Sequence, residues 1–491
     1  MQIVKKKDID CLIKTLVISG LIAILFYASL KYTILAPTLI IPVLFVSAWI
    51  IVHFNLQNTF IKTLAFLLPF SLYLPFIGES MIRLPTEPLI ILAAIILLIE
   101  IAGSPLQSIN NQLHKEFLWL APLALAFVVT TPFSELILVS VKFTLINLLY
   151  ILVFFVFLAR LLKNNDKLFI QMIALYSAGI LMVMIWGLYR FWQMEWNTVV
   201  IRGVFHPFYN DHTIFGAAAA FLAALWYSTL YMAKNNSSRI IWVSVGLVLT
   251  AGVMMSFSRA AFLSLIVFIM VLLMLYFKLR VKHLIALAGG LAILLLLFQE
   301  PVRNRLQSID SVSHAHNSGL ADRTRSAGNI TTDVSNIERL NRWMAAWNMF
   351  MEKPLTGFGP GTYQFTYIPY QEEALMNRLS LINPWDVPEG SGGTAHSEYL
   401  LAASEMGVLG LAGWLIFLGR LIYIAFNAST GHPNRKMIIA AFGGLATYLF
   451  HAHFNNFLNT DKFAFLFWGT AAWLIASYHS KDRTSPRSIA N

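Results

Sequence analysis

The chain has 491 residues, 58% of them hydrophobic and only 12% charged, with a mean hydropathy of +0.67. A soluble protein of this size carries roughly twice that charged fraction, so lipid rather than water solvates most of the molecule. The net charge of +11 does not point to nucleic acid, because the basic residues sit mainly in short loops between apolar runs, where membrane topology requires them.

A membrane helix needs about 20 mostly apolar residues. That length predicts candidate spans near 12–30, 33–52, 60–76, 87–102, 117–131, 136–160, 168–191, 212–233, 240–256, 259–277 and 283–299. A long non-membrane segment follows over 300–395, then spans near 397–419, 437–452 and 462–478. The expected fold is all-α, a polytopic membrane protein with about 12–14 transmembrane helices and one large outer loop that contains an amphipathic helix. The expected organisation is 1–134 as N-terminal helices, 135–299 as a transmembrane core, 300–395 as the loop, 396–480 as C-terminal helices and 481–491 as a tail. The single cysteine, Cys11, excludes an intramolecular disulfide. It precedes the first apolar run, which lacks a small-residue cleavage site and reads as an uncleaved span.

Lys5, Lys6 and Lys7 hold the N-terminus inside. Counting alternately, Lys163 with Lys167, Lys234 with Arg239, Lys278 with Arg280 and Lys282, Arg435 with Lys436, and the tail also fall inside. Inside segments then hold roughly twenty Lys and Arg against about seven in the short outside loops. The outside segments collect the unusual polar residues: Lys142, Arg190–His212, Ser258–Arg259, the 300–395 segment and His451–Lys462. A shared placement of that kind points to a site on the outer face.

Within the long loop, Arg303–Asp333 is polar. From Ser335 onward, Ile337, Leu340, Trp343, Met344, Trp347 and Phe350 recur at three- and four-residue steps, the pattern of an amphipathic helix. Ser335 with Glu338 reads as a capping box, and the helix is expected to lie along the outer surface of the bundle or the membrane interface. Gly357-Phe-Gly-Pro-Gly361 forms turns. Tyr363, Phe365, Tyr367, Tyr370 and Trp385 follow, suited equally to stacking on sugars or to anchoring at the interface.

Six positions stand out for chemistry. Arg202 lies in a loop before the helix that starts at His212, and arginine binds phosphate in bidentate fashion; headgroup anchoring or an ion pair is the plainer role. Arg259 sits in the turn Ser256-Phe-Ser-Arg259, where an unpaired charge would be costly, so a substrate anion or a protein carboxylate should meet it. His396, in Gly392-Gly-Thr-Ala-His-Ser-Glu-Tyr-Leu400, can accept a proton near neutral pH, although a lone histidine is often structural; Tyr399 and Leu400 are expected on its helical face. Glu405, about 13 Å further along that helix, is expected to pair with an arginine, and Gly407, Gly410 and Gly413 to form a stripe for close helix approach. Lys142 and Lys462 each start an apolar helix and are expected to snorkel rather than bind phosphate. His451, His453, Asn455, Asn456 and Asp461 form a polar cluster, and neither it nor His206, Asp211, His212, His314 and His316 matches a metal signature.

Arg202-Gly203, Ser258-Arg259, Glu338-Arg339 with Trp343 and Trp347, Pro354-Leu-Thr-Gly-Phe-Gly-Pro-Gly361, His396-Ser-Glu-Tyr-Leu400, Glu405 with Gly407 and Gly410, and Phe454–Asp461 occur in that order. Over residues 135–478 this series resembles the bacterial O-antigen ligase and polymerase family, with Ser397 standing where asparagine is commoner. The resemblance implies an inverting, metal-independent glycosyl transfer without cofactor on the periplasmic face of the inner membrane. The donor would be an undecaprenyl-pyrophosphate-linked glycan and the acceptor lipid A-core, another glycan or a protein, in contact with membrane lipid and with no nucleic acid. His396 would be the general base, Arg202 and Arg259 the pyrophosphate contacts, and Arg339 a third, with Lys142, Tyr399 and Glu405 in support. A transporter of lipid-linked sugars is the reading from another class; it calls for mid-membrane polar residues and broken helices in paired halves, and the sequence offers few such charges and no duplicated halves.

Overall fold

The computed structural model describes residues 36–75, 81–103, 111–163, 165–196, 203–233, 235–279, 282, 334–377, 379–381, 393–428 and 431–480. The expected spans near 12–30 and 283–299, the polar loop Arg303–Asp333, Trp385, the tail and Arg202 lie outside the described residues.

The apolar runs fold into helices near their expected bounds. They are α1 (Ala36–His53), α2 (Gln57–Leu67), α3 (Thr86–Gly103), α4 (Asn111–Thr130), α5 (Ile137–Tyr150, continuing through a π-helical stretch to Leu162), α6 (Asp166–Gln193), α7 (His212–Thr229), α8 (Asn236–Met255), α9 (Arg259–Tyr276), α10 (Val334–Glu352), α11 (Glu398–Ala428), α12 (Arg435–His451) and α13 (Asp461–His479). Among the described residues, eight helices are long and apolar enough to cross a membrane. Large apolar side chains on their outer faces, such as Leu138, Ile185, Leu247 and Ile269, are exposed, as expected where lipid is the solvent. The protein is an all-α polytopic membrane protein.

One expected span is corrected. The run near 60–76 forms only the 11 residues of α2, about 16 Å of helix, too short for a hydrocarbon core of about 30 Å. Pro69 lies in the short 3-10 turn that follows and cannot donate to a continuing helix. The chain then forms a small antiparallel hairpin, β1 (Leu72–Pro75) with β2 (Met81–Leu84), that sets Tyr73 opposite Arg83.

The interior of the bundle is built from α7, α12 and α13. Small residues let these helices approach: α7 contributes Ala217–Ala220, Ala223 and Ala224, all buried, and Gly443 and Gly444 of α12 face Ser228 and Leu225 of α7 with no room for a Cβ. The helix α10 and the loop after it form a second apolar cluster over one end of the bundle, centred on Ala345, Ala346, Met349, Phe358, Tyr363 and Tyr367. That end also gathers the starts of α11 and α13 and the end of α12, as the bonds Glu398 N–H to Ala452 O (2.9 Å) and Leu458 N–H to the Glu398 carboxylate (3.0 Å) show.

Candidate functional site

The Glu338 carboxylate of α10, read from the sequence as half of a capping box with Ser335, accepts from Arg342 Nε at 2.7 Å and from the Ser380 hydroxyl at 2.6 Å. The face turned to the bundle also differs from the apolar stripe. Glu338, Asn341, Arg342, Ala345, Ala346 and Met349 are buried, whereas Trp347 is 48% exposed. A buried guanidinium needs partners on every side, and Arg342 has them: Glu338, the Thr394 carbonyl at 3.2 Å, and the Tyr367 ring beneath it. Tyr363 and Tyr367 stack on one another with centroids 5.0 Å apart, both buried. They are packing residues, neither a sugar platform nor interface anchors.

The glycine loop docks into α11. At Gly407 the helix breaks, with φ 61° and ψ −154°. The backbone of Pro354–Gly361 fills the break: Val408 N–H donates to Pro354 O (2.7 Å), Phe358 N–H to Ser404 O (3.0 Å) and Gly359 N–H to Glu405 O (2.8 Å). Among the described residues, Glu405 pairs with no arginine. Its buried carboxylate accepts from the backbone N–H of Gly361 at 2.8 Å and of Tyr363 at 3.0 Å, so the turn of the loop supplies the donors that arginine was expected to supply. Of the glycine stripe, Gly413 does receive a neighbouring helix, with its Cβ position 2.7 Å from the Leu123 backbone of α4, while Gly407 receives the loop. This broken helix is filled by the protein's own chain rather than left open for a ligand.

These two anchors fix the segment 393–397. Gly393 lies against the Arg342 guanidinium, leaving no space for a Cβ, and the Thr394 hydroxyl bonds the Asn456 side chain. His396 then adopts a left-handed φ of 50°, outside the helix, so Tyr399 and Leu400 do not share a helical face with it; Tyr399 bonds Leu449 O at 3.0 Å and packs on His453. Trp343 Nε1 of α10 donates to the His396 carbonyl at 3.3 Å, and the imidazole hydrogen-bonds the Asn455 side chain. The residue is half-buried and its ring is densely surrounded. Burial, then the positive charges of Arg339 and Arg342, push its pKa down to about 3. It is therefore a neutral imidazole at physiological pH.

Arg259 stands at the first turn of α9, behind a Ser258 cap that accepts from Ala261 N–H. Its guanidinium reaches Asn336 Oδ1 of α10 at 3.4 Å. Asn336, Arg339 and Trp343 share one face of α10 by their three- and four-residue steps. That face runs from Arg259 at Asn336, past Arg339, which faces the imidazoles of His396 and His451, to the His396 backbone at Trp343. The distance covered is about 10 Å. Arg259, Arg339 and His396 thus gather along one helix face. The loop that carries Arg202 rejoins the described residues at Gly203, and His206 O is bonded there by Trp186 and Arg190. Asp211 caps α7, and His212 Nδ1 lies 2.6 Å from Ser256 O.

Lys142 is exposed, near Glu87. Lys462 does not snorkel. It is 6% exposed, and its Nζ bonds Ser71 O at 2.9 Å and Phe208 O and lies over the Tyr209 ring. Beside it is a residue missed in the sequence, Arg83. Its guanidinium donates to Tyr73 and Tyr150 hydroxyls at 2.7 Å each and to Asn459 O at 3.2 Å, and faces Glu87 and Asp461. This network ties the hairpin to α3, α5 and α13. Arg83→Ala is expected to lower stability by about 3 kcal/mol, because it leaves Asp461 buried beside a lost cation. Thermal unfolding in detergent checks this, and an unchanged midpoint would show the network to be dispensable.

Residues 244–415 match the family model described as O-Antigen ligase. That segment is similar to the O-antigen ligase family. It begins within α8 and ends within α11, so the matched segment contains Arg259, Arg339, His396 and Glu405, while Lys142, Arg202, Asn455 and Lys462 lie outside it. Among curated proteins, none matches the chain significantly.

Proposed function

We propose that this protein transfers a glycan from undecaprenyl pyrophosphate to an acceptor hydroxyl at the periplasmic face of the bacterial inner membrane, as an O-antigen ligase acting on lipid A-core. The observation that carries this reading is the placement of a neutral imidazole, His396, at one end of a helix face whose other positions hold Arg339 and Arg259.

Each group then has a task. The free nitrogen of His396 takes the proton of the acceptor hydroxyl. The acceptor oxygen bonds to the anomeric carbon as the bond from that carbon to the phosphate oxygen breaks, inverting the centre. The bonding pair leaves on the pyrophosphate, whose charge Arg259, Arg339 and Arg202 neutralise. Donor binding also prepares the base. Arg339 is one of the two cations that depress the His396 pKa, so an anion placed on Arg339 cancels part of that field and makes the imidazole more basic when the donor is present.

Purified protein supplied with an undecaprenyl-pyrophosphate glycan and lipid A-core is expected to yield glycan-capped lipid A-core. Expression in a ligase-deficient host is expected to restore capped lipopolysaccharide on a gel. Release of elongated glycan still on the carrier would instead make the protein a polymerase, and glycan on protein would make it an oligosaccharyltransferase. Movement of the donor across a vesicle membrane without transfer would overturn the reading in favour of transport.

A further inference from the structure

The end of α12 and the turn that follows it carry two side chains that the proposed reaction does not use. His451 is 1% exposed and Asn455 3% exposed, and the Asn455 amide lies 3.0 Å from His451 Nε2. The same amide reaches the His396 ring. A primary amide is directional, since its nitrogen only donates and its oxygen only accepts. The nitrogen meets His451 Nε2, and the oxygen is the acceptor that the same amide can offer a ring N–H of His396.

We propose that His451 and Asn455 are positioning residues for His396: His451 fixes the Asn455 amide, whose oxygen holds one ring N–H of His396 and so leaves the other ring nitrogen as the base. The inference rests on the glycosyl-transfer reading for its purpose, but not for its geometry.

The hydrogens run in one direction along this chain. The His451 ring faces the Ala260 backbone, and with its proton on Nδ1 it accepts on Nε2 from the Asn455 Nδ2 hydrogen. Asn455 Oδ1 accepts from His396. The second nitrogen of His396 then carries a lone pair, which is what proton abstraction requires. When that nitrogen gains a proton, the N–H to Asn455 Oδ1 becomes a charge-assisted bond and strengthens. This opposes the two cations that face His396, Arg339 and Arg342, both from α10. Arg339 also faces His451, and Asp211 faces it with the opposite charge.

The frame around the chain is rigid. Phe454 N–H and Asn455 N–H both donate to His451 O, at 2.9 and 3.1 Å, and Glu398 N–H donates to Ala452 O at 2.9 Å. The Thr394 hydroxyl bonds Asn456. The turns that carry His396 and Asn455 are therefore stitched together on both sides, which holds a supporting side chain at working distance.

The test reads the tautomer directly. Full-length protein with 15N-labelled histidine in detergent is compared with Asn455→Ala, and the His396 signals are assigned by their absence in His396→Gln. Wild type is expected to show one neutral tautomer for His396, and Asn455→Ala a mixture. His451→Leu is expected to give the mixture too, and His451→Gln, whose side-chain oxygen can still accept from Asn455, to restore the single form. An unchanged single tautomer in folded Asn455→Ala overturns the proposal, whatever the protein does to glycans. In the transfer assay Asn455→Ala is expected to lower kcat roughly 100-fold with KM for the donor unchanged, part of what a general base contributes. Wild type that transfers nothing would remove the functional reading while leaving the tautomer result to decide the positioning role.

Discussion

His396→Ala is expected to reduce glycan transfer by about a thousandfold, within the range that a positioned general base supplies, while the protein accumulates in the membrane at wild-type levels. The substitution removes the imidazole that, in the proposed reaction, takes the acceptor proton beside Arg339. It leaves the segment fixed, because the bonds that hold it come from the backbone and from Thr394: Trp343 to the His396 carbonyl, Arg342 to the Thr394 carbonyl, and Thr394 to Asn456. His396→Gln separates basicity from hydrogen bonding, since glutamine can still meet Asn455 but cannot accept a proton at neutral pH. Either variant retaining wild-type transfer at matched expression would remove His396 from the chemistry.

The pH dependence sharpens this. The His396 pKa lies at about 3, below the ordinary histidine value, through burial and then through Arg339 and Arg342. Protonation of the free enzyme at this residue therefore does not limit kcat/KM for the donor between pH 7 and pH 5. With donor bound, the pyrophosphate offsets Arg339, so the acid limb of kcat is expected at higher pH than that of kcat/KM. Stability follows the same sign. A histidine whose folded pKa is depressed binds fewer protons folded than unfolded, so its contribution is level above about pH 6.5 and falls as the pH drops from there toward 3. His396→Gln is expected to make the stability profile shallower in that window.

The bundle was legible because an apolar run long enough to cross lipid has almost no alternative to helix. The bounds of α3, α6, α9 and α13 fall within a few residues of the expected ones. The failures have particular causes. The run near 60–76 contains Pro69, and hydropathy alone does not register that a proline ends the helix. Glu405 was correctly expected to need a partner, but a window of sequence does not reveal that the donors are the N–H groups of Gly361 and Tyr363, more than forty residues away. Glu338 and Arg342, four residues apart, carried a readable ion-pair signal that the capping-box reading displaced. Arg83 showed only as one charge in an early loop, and its five partners come from four separate segments. At the site, order along the chain suggested that Arg259, Arg339 and His396 belong together; the face of α10 that joins them is a fact of packing, as is the Asn455 contact.

The second large effect is expected at Gly357, where Ala should destabilise the protein by more than about 4 kcal/mol. Two costs add. The residue has φ 65°, the left-handed region that costs an L-residue about 1–2 kcal/mol. The new Cβ would lie 2.4 Å from the Glu405 carbonyl carbon, and backbone cannot swing aside as a side chain can. The loop must therefore lift out of the break in α11. Lifting it withdraws the Gly361 and Tyr363 N–H groups from Glu405 and strands a carboxylate that is 3% exposed, a loss comparable to breaking a buried ion pair, about 3–5 kcal/mol. Glu405→Gln tests the second cost alone. It keeps one oxygen acceptor but turns an N–H toward the other backbone N–H, for about 1–3 kcal/mol. Gly419→Ala on the same helix has no atom within 4 Å of its Cβ position and is expected to be neutral or slightly stabilising. Unfolding of the three variants in one detergent orders them, with Gly357→Ala lowest, Glu405→Gln intermediate and Gly419→Ala at or above wild type. Activity should follow the same order, because α11 begins two residues after His396 and the docked loop sets where that helix stands. If Gly357→Ala unfolds no earlier than Gly419→Ala, the loop does not sit in the helix break and the support it gives the site must come from α10 alone.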